Sequence, residues 1–559
     1  SYPRADVVYS LSRAGVCFWA FVLSYSPFRD GRHPLSGGWK SDTPSAFRDG
    51  LRGPTVKASL FIHAMNPPSG MPRGRRLGLR WRRRAGGAGG RKAGISPNEK
   101  PSPLTLSEKR CIINKPRKAF AGFARSIKVD GEHRMNIIYA IESRLWIVFT
   151  ICYSYQIFYM VYMLLFKRSL SERFINRDPV MHKIAVVISA RNESAVIGQL
   201  IESIHAQTYP AELIRIYVCA DNCTDDTAEV ARAAGATVFE RQNRNLVGKG
   251  YALDYMFKKI LSSDDDSDAF IVFDADNLID REYITEMNKT FGLGFEAITS
   301  YRNSKNYGTN WISAGYSLWF LREAKYLNNA RLELNTSCAI SGTGFLLSRK
   351  LVEENGGWKH HLLTEDVEFS VDSVIQGKKI GYCSTAMLYD EQPITFRQSW
   401  RQRMRWAKGF YQVLGKYGLK LVKGTFLKLS FGCFDLLMTI FPAIFITLLS
   451  VICNVSRFIH SIFVARDGHE VLMSVISLLG YIAMVYGFLL VVGLITTLTE
   501  WDNIHTTTGK KILYVFTFPL FMLTYIPIAI AAIFRRVEWA PIEHTVTTTI
   551  DNVKDVKKE

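Results

Sequence analysis

No two of the nine cysteines stand at CxxC spacing and none has a histidine at metal-ligand spacing. This excludes a disulfide scaffold and a structural zinc site, and points to a reducing compartment. The closest pair, Cys219 and Cys223, flanks Asp221 and reads as small buried thiols. No GxGxxG follows the first strand-like run, and Gly248-Lys249-Gly250 lacks both the preceding glycine and the following Ser or Thr of a P-loop, so dinucleotide and ATP-hydrolase readings fall. Acidic residues are scarce at one end only: residues 1–134 hold 26 Lys+Arg against 8 Asp+Glu, while the remainder holds 44 against 42. The net charge of +20 therefore belongs to one segment, and no nucleic acid partner is expected for the body of the chain.

That basic segment is rich in Gly, Pro, Ser and Arg, with little apolar content from Arg73 to Lys92, so no core is expected in it. Its apolar patch from Val16 to Leu23 is too short to span a bilayer. Met135 opens a sequence of different character, and we expect it to be the biological start, with residues 1–134 a disordered or upstream extension. Mass spectrometry of the native N-terminus checks this, and a tryptic peptide from within 1–125 overturns it.

What the chain does have is long apolar runs: Trp146 to Phe166, closed by Lys167 and Arg168, then Leu436 to Val455, Val471 to Leu498, and Ile512 to Phe534, closed by Arg535 and Arg536. Each is long enough to cross about 30 Å of hydrocarbon, which predicts a transmembrane helix within 135–168 and a cluster within 418–536. With the intervening domain in the cytosol, three simple spans would place the polar tail 537–559 outside, against the positive-inside tendency. One segment is thus expected to be re-entrant or interfacial; Pro519 and Pro527 mark the last run, and Gly480, Gly487 and Gly493 the one before it. Gly415 to Leu429, interrupted by Lys416, Lys420, Lys423 and Lys428, reads as an amphipathic helix on membrane lipid.

Between the apolar ends, from Ile184, β-rich runs alternate with helical stretches: IAVVISA, a helix from Glu193 to Ala206, IRIYVCA, a helix from Asp226 to Ala234, ATVFE, a helix from Tyr251 to Leu261, and AFIVFDAD. Continuous apolar strands of this kind predict an α/β domain on a parallel sheet covered on both faces, with ligand groups at the carboxyl ends. Polar clusters stand there: Arg191-Asn192-Glu193, Asp221-Asn222 and Asp274-Ala275-Asp276. The last offers two carboxylates able to hold a hard divalent cation that also grips diphosphate. Alone, a DxD is weak, and the neighbouring Asp264-Asp265-Asp266 reads as a solvated loop. Downstream come Thr364-Glu365-Asp366 and Gln402-Arg403-Met404-Arg405-Trp406, whose Gln402, Arg405 and Trp406 share one side of a helix. Arg397, Arg401, Arg405 and Lys408 make a cationic stripe facing either diphosphate or a membrane surface.

In order and spacing, the DxD, TED and QxxRW set resembles the processive family-2 glycosyltransferases, the group that includes cellulose, chitin, hyaluronan and poly-N-acetylglucosamine synthases. The resemblance covers roughly 183–417, and it implies a GT-A-type, Rossmann-like nucleotide-sugar-binding domain over 180–417, inserted between transmembrane helices. It implies that Asp221 accepts from uracil and that Glu193 frames the same pocket, although Glu193 equally reads as a charge at a helix N-terminus. It further implies Lys249 near the diphosphate, Asp276 as ligand of Mg²⁺ or Mn²⁺ with Asp274 supporting the metal or nucleotide, and Asp366 as general base beside Glu365. Crowding among Glu365, Asp366 and Glu368 is expected to raise the pKa of Asp366, while Thr364 to Asp366 also reads as a helix cap. Arg405 is implied on diphosphate, Trp406 on the acceptor sugar, Gln402 beside them as a substrate-binding residue, and Gly342 and Thr343 in the acceptor-side turn. Taken together, the resemblance implies a multi-pass enzyme of the cell membrane with a cytosolic catalytic domain. It would extend a β-linked polysaccharide from UDP-N-acetylglucosamine or UDP-glucose, with an oligomer or export partner completing the channel. A non-processive transferase acting once on a lipid acceptor is the second reading; a nucleic-acid-binding or tethering protein with a degenerate body is the third. Tyr301 to Trp311 reads as a substrate loop.

Overall fold

The computed structural model describes residues 140–141, 144–145, 147–148, 150–166, 179–464, 468–538, 544 and 546–555. The expectations for 1–134, for a Met135 start and for Lys167 and Arg168 lie outside the described residues.

Four strands form the half of the sheet that the apolar pattern predicts: β1 (Ile184–Ala190), β2 (Ile214–Asp221), β3 (Thr237–Arg241) and β4 (Ala269–Asp274), in the order β3-β2-β1-β4 and all parallel. Their alternate residues feed two cores. Ile184, Val186 and Ile188 pack with the helices Ile197–His205 and Thr227–Ala233, and Ala185 and Val187 pack with Lys249–Leu261. Because both faces are covered, no polar alternation is needed. The register sets Ser189 opposite Asp274 and Asp221 opposite Arg241, so the acids end on one edge. At that edge the chain turns off β1 and β2 through Asn192 and Asn222, at φ 57° and 54°, where a short polar side chain tolerates the left-handed region. The helix expected from Glu193 starts only at Ile197, since the Glu193 carbonyl closes a turn with the Val196 and Ile197 amides.

Beyond β4 the sheet is mixed rather than parallel. It continues β7 (Phe345–Ser348), β6 (Ala297–Ser304), β8 (Ile380–Asp390) and β5 (Leu278–Ile279), with β7 antiparallel to β4 and β6, β6 parallel to β8, and β5 antiparallel to β8. Of the stretch expected as a loop from Tyr301 to Trp311, residues up to Ser304 end β6, residues 305–310 do form a loop, and Trp311 starts the helix Trp311–Arg322, opened by a reciprocal cap between Asn310 and Ser313. The Asp264 to Asp266 run is not simply solvated either. Asp265 is buried and takes Arg349, Arg215 and the Tyr217 hydroxyl at 2.6, 3.1 and 2.9 Å.

Two helices among the described residues are long and apolar enough to cross a membrane by length and composition, Val471–Thr499 and Thr508–Phe534. This is fewer than the four runs the sequence offers. Thr150–Leu165 is shorter, and the Leu436 to Val455 run breaks at Phe441 into the helices Phe431–Ile440 and Pro442–Val464. The glycines at 480, 487 and 493 do not interrupt the helix Gly468–Thr499, and Gly493 serves instead as a seat for Phe518. In the last run the helix passes through Pro519 and breaks at Thr524, where Arg403 enters, donating to the Phe521 carbonyl at 3.0 Å and the Thr524 hydroxyl at 2.8 Å.

One buried ion pair ties the apolar helices to the α/β domain. Arg331, on the short helix Asn329–Glu333, forks onto Asp435 with Nε and Nη2 at 2.8 and 2.7 Å, and both residues are 1% exposed. Tyr155 and Tyr159, from the first apolar helix, donate to the same carboxylate at 3.1 and 2.9 Å. With the arginine fork and two hydroxyls, the buried carboxylate is well satisfied.

Candidate active site

Strand β4 delivers Asp274 to the sheet edge, and the next turn delivers Asp276. Asp276 is buried, accepting from Asn277 Nδ2 at 3.3 Å and from the Glu391 amide at 2.9 Å. Burial works against its charge, but His544, Lys305 and the Glu391 amide outweigh that and hold it below the usual carboxylate range. Asp274 accepts from Lys249 Nζ at 2.5 Å, and the same ammonium donates to the Gly342 carbonyl at 2.8 Å. Thr343 Oγ1 accepts from the Asp274 amide at 2.9 Å and donates to Asn277 Oδ1 at 2.5 Å, pinning the turn before β7 against the acids.

That turn needs glycine. Gly342 and Gly344 sit at φ 78° and 67°, and a Cβ on Gly344 would meet Leu388 at 1.9 Å and Ser300 at 2.7 Å. Gly344→Ala is therefore expected to lower stability by roughly 2–4 kcal/mol. Thermal unfolding checks this, and an unchanged midpoint contradicts it.

The Gly342 amide donates to Asp366 Oδ2 at 2.6 Å and so fixes the carboxylate facing the acidic edge. Asp366 is the second residue of the helix Glu365–Ile375, but Thr364 makes no side-chain cap; its methyl and hydroxyl lie within 2.5 Å of where a Cβ on Gly409 would fall. The carboxyl that crowding lifts is that of Glu365: burial pushes it up, the Asp366 charge adds, and Lys249 and Arg405 work against both, leaving it at about 7. An acid raised in the folded state binds more protons folded than unfolded, so stability is greatest below the ordinary glutamate range and falls as pH rises toward 7. Glu365→Gln is expected to flatten that fall and to gain on the order of 2–3 kcal/mol at pH 8. Unfolding midpoints at pH 5 and 8 measure it, and parallel shifts at both reject it.

Gln402, Arg405 and Trp406 lie on the long helix Phe396–Leu427, started by a reciprocal cap between Thr395 and Gln398. Arg405 donates to the Leu363 carbonyl at 2.9 Å, just ahead of the Thr364-Glu365-Asp366 turn. Trp406 packs edge-on to Tyr316 and Phe320, at ring separations of 5.6 and 6.1 Å. The Gln402 amide oxygen is buried without a donor among the described residues. The cationic stripe divides: Arg397 and Arg401 are exposed, while Lys408 donates to the Ala532 carbonyl at 3.1 Å. Farther along, Lys416 turns back to Glu368 at 2.6 Å, and Leu419, Phe426 and Leu427 are exposed beside Lys420 and Lys423.

Asp221 is buried at the end of β2 and receives both Arg241 Nη1, at 2.5 Å, and Asn222 Nδ2, at 2.9 Å, on Oδ1. Glu193 stands ahead of its helix rather than in its first turn, and its Oε2 meets His544 Nδ1 at 2.9 Å. Burial raises the Glu193 carboxyl; His544 opposes this, and Asp276 and Asp274 add to it. Three residues the motifs did not single out complete the edge. Arg302, on β6, binds Asp390 and donates to the Ser341 carbonyl at 3.1 Å, with its guanidinium 3.7 Å above the Phe320 ring. Burial lifts Asp390 to about 6, with Arg302 opposing and Asp276 adding. His544 arrives from the C-terminal segment. Asp390 closes β8 just as Asp221 closes β2, so the strand-end rule could have found it; His544 has no comparable local signal.

Residues 182–409 match the family described as "Glycosyltransferase like family 2". Among curated proteins, the chain is 24% identical over 325 residues to the probable glycosyltransferase YdaM of Bacillus subtilis, covering 54% of this chain and 70% of that protein. It is 24% identical over 245 residues to a beta-monoglucosyldiacylglycerol synthase of Synechocystis, covering 41% and 48% of the two chains. To the poly-beta-1,6-N-acetyl-D-glucosamine synthase of Staphylococcus aureus it is 27% identical over 252 residues, covering 43% and 57%. The chain thus spans about half the length of the latter two. A solved mannosyltransferase from Pyrobaculum calidifontis, in complex with GDP-Man and Mn²⁺, superposes over 70% of this chain and 97% of its own, at 14% identity and a TM-score of 0.43. The family match falls on the α/β domain that carries the acidic edge.

Proposed function

We propose that the protein is a membrane-embedded, metal-dependent inverting transferase. It moves a sugar from UDP-N-acetylglucosamine or UDP-glucose onto a growing β-linked polysaccharide, with its catalytic domain in the cytosol. The observation that carries this reading is the meeting, on one sheet edge, of Asp274 and Asp276 with Lys249, the Gly342-Thr343 turn and Asp366. The residues present fit a hard divalent cation: Asp276 is an ionised, buried oxygen donor, with Asp274 two residues away. Among the described residues no three ligating groups are gathered for it, so diphosphate oxygens and water would supply the rest of its shell.

In this reading Mg²⁺ or Mn²⁺, when bound, supplies Lewis-acid charge for the departing diphosphate. Lys249 adds a fixed positive charge at the same edge, and Asp221 and Glu193 wall the uridine side. Asp366, oriented by the Gly342 amide, takes the proton of the acceptor hydroxyl as its oxygen attacks the anomeric carbon. The new glycosidic bond forms opposite the breaking C–O bond to UDP, which leaves with the electron pair. Arg405 acts by holding Leu363, and through it the turn bearing the base, while Trp406 and Gln402 line the acceptor side. A lipid acceptor is the second reading, favoured by the likeness to the glucolipid synthase.

The test is UDP release by the detergent-solubilised chain with a panel of UDP-sugars and Mg²⁺ or Mn²⁺, with radiolabelled product sized on gels. Donor-specific turnover to a high-mass ladder supports the polysaccharide reading, and one sugar on a lipid supports the second. Failure to bind UDP with metal overturns both.

A further inference from the structure

The chain reaches β7 through a segment that belongs to no strand. The Cys338 amide donates to the Ile380 carbonyl at 3.0 Å, and the Gly344 amide to the Val272 carbonyl at 2.9 Å. Between these two sheet bonds, side chains carry the backbone. Asn328 is 3% exposed and ends the π-helical turn Glu323–Asn328. It pairs with both backbone groups of Ala339: its Oδ1 accepts from the amide and its Nδ2 donates to the carbonyl, each at 3.2 Å. Ser370 Oγ accepts from the Ile340 amide at 2.9 Å and donates to the Asp366 carbonyl at 2.9 Å. Arg302 donates to the Ser341 carbonyl at 3.1 Å, and the Gly342 amide then reaches Asp366 Oδ2 at 2.6 Å.

A carboxamide can turn over, exchanging its oxygen and nitrogen, and only its surroundings choose between the two orientations. Here Arg331 chooses. Its Nη1 donates to Asn328 Oδ1 at 3.2 Å, and a guanidinium has no acceptor to offer the opposite orientation. Arg331 in turn forks onto Asp435, and Asp435 accepts from Tyr155 and Tyr159 of the first apolar helix. Side-chain bonds therefore run from the apolar helices to the segment that carries the Gly342 amide. π-Helical turns are rare and frequently mark functional sites, and this one ends on the residue that makes the connection. Resting on the transferase reading above, we propose that Asn328 and Arg331 are positioning residues for the transfer. They suspend the backbone at 339–342 so that the Gly342 amide stays on the base, Asp366. The acids of the donor edge are held separately, Asp274 by Lys249 and Asp276 by the Glu391 amide. Losing the suspension thus slows the chemical step and spares the donor.

The test uses the full chain in one detergent. UDP release under saturating UDP-sugar gives kcat, calorimetry gives UDP affinity with Mn²⁺, and thermal unfolding reports stability. Asn328→Leu fills the same space with no polar atom. It is expected to lower kcat about 10- to 100-fold, the cost of moving a reacting group by about an ångström, while UDP affinity stays within about threefold. Arg331→Met with Asp435→Leu leaves neither charge of the pair and keeps its stability. It is nevertheless expected to turn over as slowly as Asn328→Leu, because the Asn328 amide has lost its fixed orientation. Adding Asn328→Leu to that variant is expected to cost less than about threefold more, since both changes break one tie. A wild-type rate in Asn328→Leu or in the stable charge-free variant, or losses that multiply when combined, overturns the proposal. UDP affinity falling in step with kcat also overturns it, making the two residues supports of the whole domain. If wild type neither binds UDP nor releases it from any UDP-sugar, the transferase reading fails and the proposal with it.

Discussion

Asp366→Asn is expected to lower turnover 10²- to 10⁴-fold, the range a positioned general base contributes, while leaving UDP binding close to wild type. The split follows from geometry. Asp366 is held by the Gly342 amide at 2.6 Å, whereas Asp274 is held by Lys249 and Asp276 by the Glu391 amide, so the amide substitution removes a proton acceptor without dismantling the acidic edge. UDP release under saturating donor, paired with calorimetric UDP binding, makes the measurement. A variant within tenfold of wild type would remove Asp366 from the chemistry, and the proposal would have to move to Glu365. Loss of UDP binding along with turnover would mean that the side chain holds the turn rather than the proton.

The largest stability effect is expected at the other end of the molecule. Arg331→Met leaves the buried Asp435 without its arginine, held among the described residues by Tyr155, Tyr159 and Thr439, which is expected to cost about 3–5 kcal/mol. The double variant Arg331→Met with Asp435→Leu removes both charges and is expected to recover most of the loss, because apolar packing replaces a pair whose attraction mainly offsets its own desolvation. Thermal unfolding in one detergent compares the three proteins. A single variant as stable as wild type, or a double variant no better than the single, contradicts the expectation.

The parallel half of the fold is legible because its strands are apolar without interruption, and the acids at their ends announce themselves by breaking that pattern. The antiparallel half is not. β6 carries Thr299, Ser300, Arg302, Asn303 and Ser304, of which Ser300, Arg302 and Asn303 are satisfied by Gly344, Asp390 and Asn503 far along the chain, so it reads locally as a loop. The Leu436 to Val455 run looks like one span because hydropathy averages over Asp435 at its start and Pro442 within it. That Asp435 belongs to a buried pair depends on Arg331, 104 residues away. Of the candidate site, the motif acids and the QxxRW helix could be named in advance. Arg302 and His544 could not: one hides in a polar strand, and the other reaches Glu193 across 351 residues.

The domain's own sheet is completed from outside it. The Tyr301 hydroxyl on β6 ends on Glu500, Asn303 donates to the Asn503 carbonyl at 2.8 Å, and Arg403 is anchored at Phe521 and Thr524. All of these partners are made after the catalytic motifs, on or between the final apolar helices. A chain still on the ribosome with its motifs already synthesised therefore lacks the groups that satisfy buried polar side chains beneath them. We expect a nascent polypeptide stalled before residue 500 to be protease-sensitive throughout β6 and β8. The order of synthesis would then set the order of assembly, with the sheet edge settling only once the closing helices have been made.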